Sequence, residues 1–501
     1  MISLIFSFIS GLLTGLSFNL SNLSFLVWFS IVPFIYSISR GNFRTNILSG
    51  VIFAFSFYGV ILFWVANVTS LGLILLLFYL SVYSIIFSLV GKKLYSKTWQ
   101  LITFPSLWVV LEFLKENIWC GFGWANLGYS QYQNFHLIQV ADLAGTKIIS
   151  FLIVMVNVLI LKVILSLARR NKKLGIRKNI FKKVVFVVFV FIVIFLYSFN
   201  RLNNLKETDS LEVSIVQPNI FQELKWDPFS QIKILGTLSE LAKKTREDSL
   251  VIFPEASWPL VVDENNFYEL EQFIKDLNRD VLIGAVVENS GEFFNQALLF
   301  DKQAHLIESY RKIKLVPYGE YVPLREFLTF ISVFNSIGDM SRGNDFVSFS
   351  YKDKKFSTLI CFEDIFPQHV IHFAKENDFL VNITNDAWFK GKPQASQHLS
   401  IMTLRAVENR ISIIRSANTG ISGWVSFKGE INKFVSNKKE VFFAGANNFK
   451  ISLNKKRSFY NRHGEFFPFI CIIFLIGMFL KRVDEDKEIK IAKVPNNIRV
   501  L

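Results

Sequence analysis

Three side chains able to support covalent catalysis each follow a run of residues that favours a strand. Cys361 comes directly after STLI, Glu255 follows VIFP, and Lys312 lies in the segment SYRKIKLVPYGEYVP. Side chains at the ends of separate strands can converge on one point. There a carboxylate would take the thiol proton, and an ammonium would stabilise the oxyanion formed when a carbonyl is attacked. The pattern therefore indicates a cysteine nucleophile with its own base and cation.

Each of the three residues also has a structural interpretation when it is taken alone. A cysteine in an apolar run is usually a buried core residue, Glu255 fits a solvated loop, and Lys312 is one cation in a basic chain. The combination favours catalysis. Pro367 ends the strand and admits a helix, which predicts a sharp strand-to-helix turn at Cys361 with backbone N–H groups facing the reacting atom.

Neither a metal nor another cofactor is expected. The three cysteines Cys120, Cys361 and Cys471 are too far apart to suggest a metal cluster or a disulfide framework. The six histidines form no cluster, and no phosphate-binding loop is present.

The composition predicts a membrane protein. The 501 residues are 51% hydrophobic and 16% aromatic, and the mean hydropathy is +0.36. Eight apolar segments of about membrane-spanning length are expected, of which the second and eighth are short. They are residues 1–20, 24–39, 46–68, 71–90, 99–118, 147–167, 184–199 and 466–480.

Basic residues fall on every second loop, as the positive-inside rule requires. They follow the second, fourth and sixth segments, whereas the alternate loops 19–23 and 67–70 carry none. These cations are Arg40, Arg44, Lys92, Lys93, Lys97, Arg169, Arg170, Lys172, Lys173, Arg177, Lys178, Lys182 and Lys183. Both termini are therefore predicted to be cytoplasmic, with residues 200–465 across the membrane. The net charge of +15 is attributed to topology, and no nucleic-acid partner is expected.

The region between the last two segments has an α/β pattern. Short apolar runs at 211–217, 250–253, 281–287, 356–360 and 379–383 alternate with helical stretches at 231–246, 267–277 and 396–413. A hairpin is expected at 297–312 and a return to strand at 414–427. This order predicts a layered α/β domain with buried sheets. The predicted domains are a membrane domain at 1–199 with seven helices, a catalytic domain at 200–465, a final helix at 466–482 and a tail at 483–501.

The segments VIFPEASWP, YRKIKLVPYGEYVP and LICFEDIFP resemble the triad segments of the nitrilase (carbon–nitrogen hydrolase) superfamily. With the membrane segments around them, the whole chain resembles the bacterial apolipoprotein N-acyltransferase family. The segments GFGWANLGYSQ (121–131), QPN, FNQALLF and NITNDAWF extend the resemblance. It implies about eight transmembrane helices and an extracytoplasmic nitrilase-like αββα sandwich.

The resemblance also implies roles for single residues. Glu255 is the expected general base, Lys312 the oxyanion-stabilising cation and Cys361 the nucleophile. Glu320 and Glu363 are expected to support them. Four further residues are expected to contact substrate, namely Trp388, Tyr321, Trp124 and Phe362. The chain departs from the family pattern where Phe362 replaces a common Tyr, where Tyr318 replaces a common Phe, and at Lys390.

The implied reaction takes a fatty acyl chain from a membrane phospholipid onto Cys361. It then passes the chain to the α-amino group of an N-terminal diacylglyceryl-cysteine of lipoproteins, in ping-pong order. The expected partners are the phospholipid donor, the apolipoprotein acceptor and membrane lipids. The expected state is a monomer in the bacterial inner membrane with its catalytic domain on the periplasmic side.

Two alternatives remain open at this point. A membrane-tethered amidase or nitrilase would use the same triad on a small substrate, and a non-enzymatic scaffold would use the domain for docking. Glu112 in the fifth segment has either a functional or a structural role, since ionisable residues near membrane depth are costly. His398 is expected near the surface of the domain.

Overall fold

The structure is a computed structural model that describes residues 1–19, 21–95, 99–168, 174–323, 325–328 and 338–492. The helices of its membrane part are Ile2–Asn19, Val32–Arg40, Phe43–Leu62, Ser70–Leu94, Gln100–Asn117, Lys147–Ala168, Leu174–Asn204 and Phe466–Ala492, and Val32–Arg40 continues the helical stretch that starts at Asn22. Short helical turns lie among them at Ser21–Leu26, Val27–Ser30, Phe63–Asn67, Leu127–Gln131, Leu137–Val140 and Ala141–Ala144. Lys97, Arg169, Arg170, Lys172, Lys173 and residues 493–501 of the predicted tail lie outside the described residues.

Within the described residues, six of the eight predicted segments form helices long and apolar enough to cross a membrane. The fifth segment forms the helix Gln100–Asn117, whose charged residues Glu112, Lys115 and Glu116 are buried inside the protein. The eighth contributes the shorter apolar stretch Phe466–Leu480. The first helix lies close against Phe43–Leu62, because a Cβ at its Gly15 would come 2.7 Å from the Val60 side chain. Small residues let membrane helices approach in this way.

The region after the seventh helix contains two sheets. Its strands are β1 Asp209–Gln217, β2 Leu250–Ile252, β3 Val261–Asp263, β4 Val281–Asn289, β5 Glu292–Phe300, β6 Leu306–Arg311, β7 Phe349–Tyr351, β8 Lys354–Ile360, β9 Phe379–Thr384, β10 Ser412–Ala417, β11 Gly423–Val425, β12 Ile431–Lys433 and β13 Gly445–Leu453. One sheet has the order β13-β1-β2-β4-β5-β6, with β3 on β4, and the other has the order β12-β11-β10-β9-β8-β7. The central pairs β1–β2, β2–β4, β8–β9 and β9–β10 are parallel.

The two sheets face each other across a shared apolar core, and helices cover their outer faces. Along β4, Leu282 belongs to the core between the sheets, while Val281 and Ile283 pack in the outer cluster. This alternation follows from the two-residue period of a strand. The outer helices are Gln231–Ala242 and Tyr268–Leu277 on one sheet, and Pro367–Ala374 and Lys392–Asn409 on the other. Shorter helical turns are Gln222–Leu224, Pro228–Ser230, Arg325–Leu328, Cys361–Ile365, Asp386–Phe389 and Phe459–His463. The predicted layered α/β domain is confirmed.

The predicted boundaries around residue 410 were wrong. The helix predicted at 396–413 runs from Lys392 to Asn409, because Pro393 suits a first helical turn and Arg410 takes a left-handed conformation with φ 53°. The branched residues Ile411, Ile413 and Ile414 then favour strand β10. The strand predicted at 414–427 is two antiparallel strands, β10 and β11. The hairpin predicted at 297–312 is β5 and β6, with β5 beginning earlier at Glu292.

The helix Lys392–Asn409 lies between the second sheet and the membrane helices, so nearly all of it is buried. Its Leu399 and Met402 belong to the core between the sheets, whereas Ile401, Leu404 and Val407 belong to the apolar cluster of the membrane helices. A helix that is apolar on opposite faces is typical of a fully buried position. The catalytic domain and the membrane helices therefore share one continuous packed interior.

Buried hydrogen bonds and ion pairs cross the same junction. Glu408 accepts from the backbone N–H of Thr146 at 2.6 Å, and Arg410 donates to Asp142 at 2.8 Å. Lys147 at the start of its membrane helix pairs with Glu116 and with Glu465. Buried charges need such partners because an isolated charge is costly to remove from water. These pairs fix the orientation of the catalytic domain on the membrane helices.

Candidate active site

Cys361 lies where strand β8 turns into the short helix Cys361–Ile365, as predicted. Its φ of 56° is in the left-handed region, which is strained for a residue with a side chain. Cys361 as a whole residue is partly exposed. Asn382 of the neighbouring strand β9 donates its side-chain N–H to the Cys361 carbonyl at 2.8 Å. The turn thus presents the sulfur at the carboxyl ends of parallel strands.

Glu363 holds this turn together from inside. Its fully buried carboxylate accepts from the backbone N–H groups of Ile360 at 2.8 Å and of Ile313 and Lys314 at 2.9 Å each. The Tyr310 hydroxyl donates to the same carboxylate at 2.9 Å. Burial by itself raises the pKa of Glu363, but His369 and these N–H groups bring it below its usual range. Glu363 therefore ties the Cys361 turn to the segment that carries Lys312.

Glu255 and Lys312 form a buried ion pair with a second carboxylate. The Lys312 ammonium lies 3.1 Å from Glu255 Oε1 and 2.9 Å from Glu320 Oε1. Asn295 of strand β5 donates to both carboxylates, at 2.8 and 3.0 Å. The backbone N–H of Asn385 donates to Glu255 Oε2 at 2.8 Å. The carboxylates are thus positioned by donors from several strands.

The charges at this site set the protonation of its members. Burial raises the pKa of the Cys361 thiol well above its usual range, and the Glu255 charge adds to this while Lys312 opposes it. Burial opposes ionisation of Glu255 too, but the Lys312 charge and the Asn295 hydrogen bond keep its pKa below the usual range. The Lys312 pKa is raised by the two carboxylates despite burial. At neutral pH the resting site therefore holds a thiol, a carboxylate and an ammonium.

A second lysine beside these residues was missed by the sequence analysis. Lys225 is 3% exposed, and among the described residues its ammonium has one hydrogen-bond acceptor, the backbone carbonyl of Glu255 at 3.2 Å. Burial lowers its pKa to about 8, against the charges of Glu255 and Cys361. Its position after the short turn Gln222–Leu224 gave no signal, because a lysine in a loop is ordinarily exposed. Asn295 was also missed as a site residue, although its segment FNQALLF was noted.

The aromatic loop 121–131 of the membrane domain packs directly on the nucleophile turn. A Cβ at Gly123 would collide with the carbonyl oxygen of Ile365. Lys115 donates to the Trp124 carbonyl at 2.6 Å, and Glu112 accepts from the Leu127 backbone N–H at 2.8 Å. Glu112 thus has a structural role in holding this loop. The membrane helices reach the catalytic turn through these contacts.

The structure distributes the four predicted substrate contacts over different places. Phe362 packs against the membrane cluster, with its ring 5.6 Å from the Lys312 ammonium. The Tyr321 hydroxyl lies 3.9 Å from the sulfur of Cys120 in the membrane domain. Trp388 is half-exposed on the turn Asp386–Phe389. Trp124 is buried in the junction and donates to Gln397 at 2.7 Å. All four stay predictions as substrate contacts.

A buried charged cluster lies behind the nucleophile turn. His398 is 1% exposed and lies 2.7 Å from Asp364 and 3.7 Å from Asp386, so its expected place near the surface was wrong. Arg415 contacts the other ring nitrogen of His398. The helix carrying His398 is covered by membrane helices, which a helical pattern alone does not reveal. Among the described residues, no group of histidines, cysteines and carboxylates is arranged to hold a metal ion.

Comparisons with known proteins identify relatives of both the membrane part and the α/β part of the chain. Residues 10–159 match the family model of the apolipoprotein N-acyltransferase N-terminal domain, and residues 212–448 match that of carbon–nitrogen hydrolases. The chain is 33% identical over 489 residues to the apolipoprotein N-acyltransferase of Geobacter metallireducens, covering 93% of this chain and 92% of that protein. It is 30% identical to the Haemophilus influenzae enzyme, with 84% of each chain covered.

A solved amidase from Nesterenkonia sp. matches half of this chain and 93% of its own, with 16% identity and a TM-score of 0.38. The sequence relatives show the family of the chain. The residues described above define a membrane protein whose carbon–nitrogen hydrolase domain contains a thiol, a carboxylate and an ammonium. The chain belongs to the apolipoprotein N-acyltransferase family.

Proposed function

We propose that Glu255, Lys312 and Cys361 are the catalytic triad of a phospholipid:apolipoprotein N-acyltransferase. Family membership assigns the chain lipoprotein N-acylation. One observation carries the triad: Glu255 pairs with Lys312 at 3.1 Å, and the end of strand β9 holds both Glu255, through the Asn385 N–H, and the strained Cys361 turn, through Asn382. The tethered-hydrolase alternative is not favoured, because the matched relatives share the membrane helices as well as the catalytic domain.

In the first half-reaction the Cys361 sulfur attacks an ester carbonyl of the donor phospholipid. The thiol is neutral at rest, so its proton passes to the Glu255 carboxylate as the S–C bond forms. Lys312 stabilises the oxyanion of the tetrahedral intermediate. The C–O ester bond then breaks, Glu255 returns the proton to the leaving glycerol oxygen, and lysophospholipid departs. The acyl chain remains as a thioester on Cys361.

In the second half-reaction the α-amine of the diacylglyceryl-cysteine attacks the thioester carbonyl. Glu255 takes a proton from the attacking nitrogen, and the C–S bond breaks. The sulfur recovers its proton, so an amide is formed and the free enzyme is restored. Water would give a wasteful hydrolysis, which makes a shielded site necessary. The loop 121–131 is suited to this shielding because it covers the turn after Cys361.

The proposed partners are both anchored in lipid, which accounts for the shared interior of the two parts. A thiol held by the membrane loop stays close to the bilayer surface, where an ester and a lipid-anchored amine can both reach it. We assign the catalytic domain to the periplasmic side of the inner membrane. This assignment rests on the basic loops, because Arg40, Lys92 and Lys178 follow alternate membrane segments.

The proposal is tested by acylating a diacylglyceryl-cysteinyl peptide in proteoliposomes that contain the full-length chain. Peptide N-acylation is measured by mass spectrometry, with an N-acetylated peptide as the blocked acceptor. We expect Glu255→Gln to lower the rate about 10²- to 10⁴-fold, the usual contribution of a general base, and Lys392→Gln at the exposed end of a helix to leave it unchanged. An unmodified peptide together with hydrolysis of small amides would support the tethered hydrolase instead.

A further inference from the structure

A basic groove lies where the catalytic domain meets the last membrane helix. It has a volume of about 520 Å³ and is lined by Lys375, Lys455, Lys456, Arg457, Asn461 and Arg462. Among the described residues no carboxylate lines it. Five cations and one amide around an open space make a strongly positive surface, which suits an anion.

Arg457 places a fixed positive charge at the base of this groove. Its guanidinium donates to the backbone carbonyls of Ala374 at 2.7 Å, Asn454 at 2.6 Å and Arg410 at 3.3 Å, and also to that of Asn377. Within the described part of the chain no carboxylate oxygen comes within salt-bridge distance of the Arg457 guanidinium. Burial lowers the Arg457 pKa to about 10, with Asp378 opposing the shift, so the group stays charged at neutral pH. The carbonyls orient this charge but do not neutralise it.

The groove lies next to the place where the chain enters the membrane. Arg462 is four residues before Phe466, at which the apolar helix begins. Arg462 lies in the short helix Phe459–His463, which Gly464 ends just before the membrane helix begins. The side chains of Phe469, Ile470 and Ile473 are exposed on that helix, as expected of a surface that faces lipid. A headgroup belonging to a lipid packed on this helix would therefore lie at the level of the groove.

Membrane topology does not account for these cations. In the orientation proposed above, they flank the periplasmic end of the last helix, whereas the positive-inside rule concerns its cytoplasmic end. That end already carries Lys481 and Arg482. A basic cluster on the other side needs another reason.

We propose that the groove binds the phosphate of an anionic phospholipid headgroup. Clusters of lysine and arginine beside a membrane helix recognise such headgroups through the phosphate charge. The site is separate from the catalytic turn, because Lys375 follows the eight-residue helix Pro367–Ala374, which begins beside that turn. Eight residues span about 12 Å. Only the assignment of the groove to the periplasmic leaflet rests on the proposed function.

The test is native mass spectrometry of the full-length protein in detergent with phosphatidylglycerol or zwitterionic phosphatidylethanolamine. The triple variant Lys455→Gln, Lys456→Gln, Arg462→Gln removes three cations while Arg457 keeps its carbonyl contacts. We expect phosphatidylglycerol adducts to fall at least about tenfold, given the usual worth of a basic residue at a lipid surface. Phosphatidylethanolamine adducts should not change. The matched control Lys302→Gln, Lys438→Gln, Lys439→Gln removes the same charge at exposed positions elsewhere in the domain and should bind like wild type.

Equal binding of the two lipids by the wild type would overturn the proposal, and so would unchanged phosphatidylglycerol binding by the triple variant. Displacement of the lipid by inorganic phosphate at matched concentration would mean a site for free phosphate instead. Arg462→Gln alone should show a smaller loss of binding, which guards against misfolding of the triple variant. Thioester formation on Cys361 is measured in the same samples with phosphatidylethanolamine as donor. It should persist in the triple variant, so failure of the groove and failure of the triad give different results.

Discussion

At the scale of single residues, the site joins a weak acid to a weak base. Cys361 resists ionisation and Glu255 resists protonation, so transfer of the thiol proton at rest is uphill. In the proposed mechanism the transfer becomes favourable only as the sulfur attacks a carbonyl and the negative charge moves to an oxyanion near Lys312. A neutral thiol is also a weak nucleophile, which limits its unspecific reactions.

Asn295 should set the acid limb of the pH profile. It donates to Glu255 at 2.8 Å and to Glu320 at 3.0 Å, and its loss removes one cause of the lowered Glu255 pKa. In Asn295→Leu we expect the acid limb of thioester formation to move to higher pH, and the plateau rate to fall about tenfold, as for loss of a hydrogen bond to a charged group. Rapid-quench mass spectrometry across pH measures both. An unmoved limb would show that Asn295 does not tune Glu255.

Lys225 should supply a second positive charge to the reacting centre. Its ammonium is protonated below a pKa of about 8 and loses its charge as pH rises through that value. We expect thioester formation in the wild type to decline above about pH 8, and the decline to be absent in Lys225→Arg, which keeps its charge. Lys225→Met should be slower at pH 7 by about tenfold. If thioester formation in Lys225→Arg declined at high pH as it does in the wild type, this role of Lys225 would be contradicted.

At the scale of elements, the turn at Cys361 depends on the buried carboxylate of Glu363. Glu363 accepts three backbone N–H groups from two separate segments and so fixes the turn against the strand end that leads to Lys312. Backbone N–H groups in a buried place need acceptors, and only the ionised carboxylate offers enough of them here. The left-handed Cys361 is maintained by this support.

Glu363→Gln should therefore damage both stability and rate. The amide nitrogen cannot accept, so at least one buried N–H loses its partner, which costs about 1–3 kcal/mol. We expect a lower melting temperature and slower thioester formation. Tyr310→Phe is the matched control, because it removes one hydroxyl donor and leaves all three N–H contacts. Its melting temperature and its rate of thioester formation should fall less than those of Glu363→Gln. Equal losses in the two variants would count against the special role of the backbone contacts.

The sequence predicted the strand ends that carry Glu255, Lys312 and Cys361, because apolar runs and the prolines after them define short buried strands. The boundary at Arg410 was not predictable, since Ile411–Ile414 is compatible with either structure until the sheet is known. Asn295 and Lys225 were missed for a different reason. Their contacts come from distant segments that meet only in the folded sandwich. The burial of His398 likewise depends on the membrane helices that cover its helix.

At the scale of the whole molecule, the catalytic domain is inseparable from its membrane helices. The helix Lys392–Asn409 belongs to both interiors, and Asp142 of the membrane part accepts from Arg410 at 2.8 Å and Arg201 at 2.7 Å. The Cys361 thiol therefore has a fixed position relative to the membrane helices. Under the proposed function, this fixed position brings a carbon–nitrogen hydrolase domain to substrates held in a bilayer.

Asp142→Asn should loosen this junction. It leaves two guanidinium groups without their carboxylate, and removal of one partner from a buried pair costs about 3–5 kcal/mol. We expect the melting temperature of the purified protein to fall by about 5–10 °C, measured by intrinsic fluorescence. The control Glu240→Gln breaks an exposed pair with Lys244 and should change it by about 1 °C or less. A similar small change in Asp142→Asn would show that apolar packing alone holds the junction.

The central claim is that Cys361 carries the acyl chain between two lipid-anchored substrates. Intact-protein mass spectrometry after incubation with phospholipid alone tests it most directly, with Cys361→Ser as the comparison. We predict a fatty-acyl mass increase on the wild type that hydroxylamine removes and that a diacylglyceryl-cysteinyl peptide discharges. An unmodified Cys361 in an enzyme that still acylates the peptide would contradict the thioester mechanism.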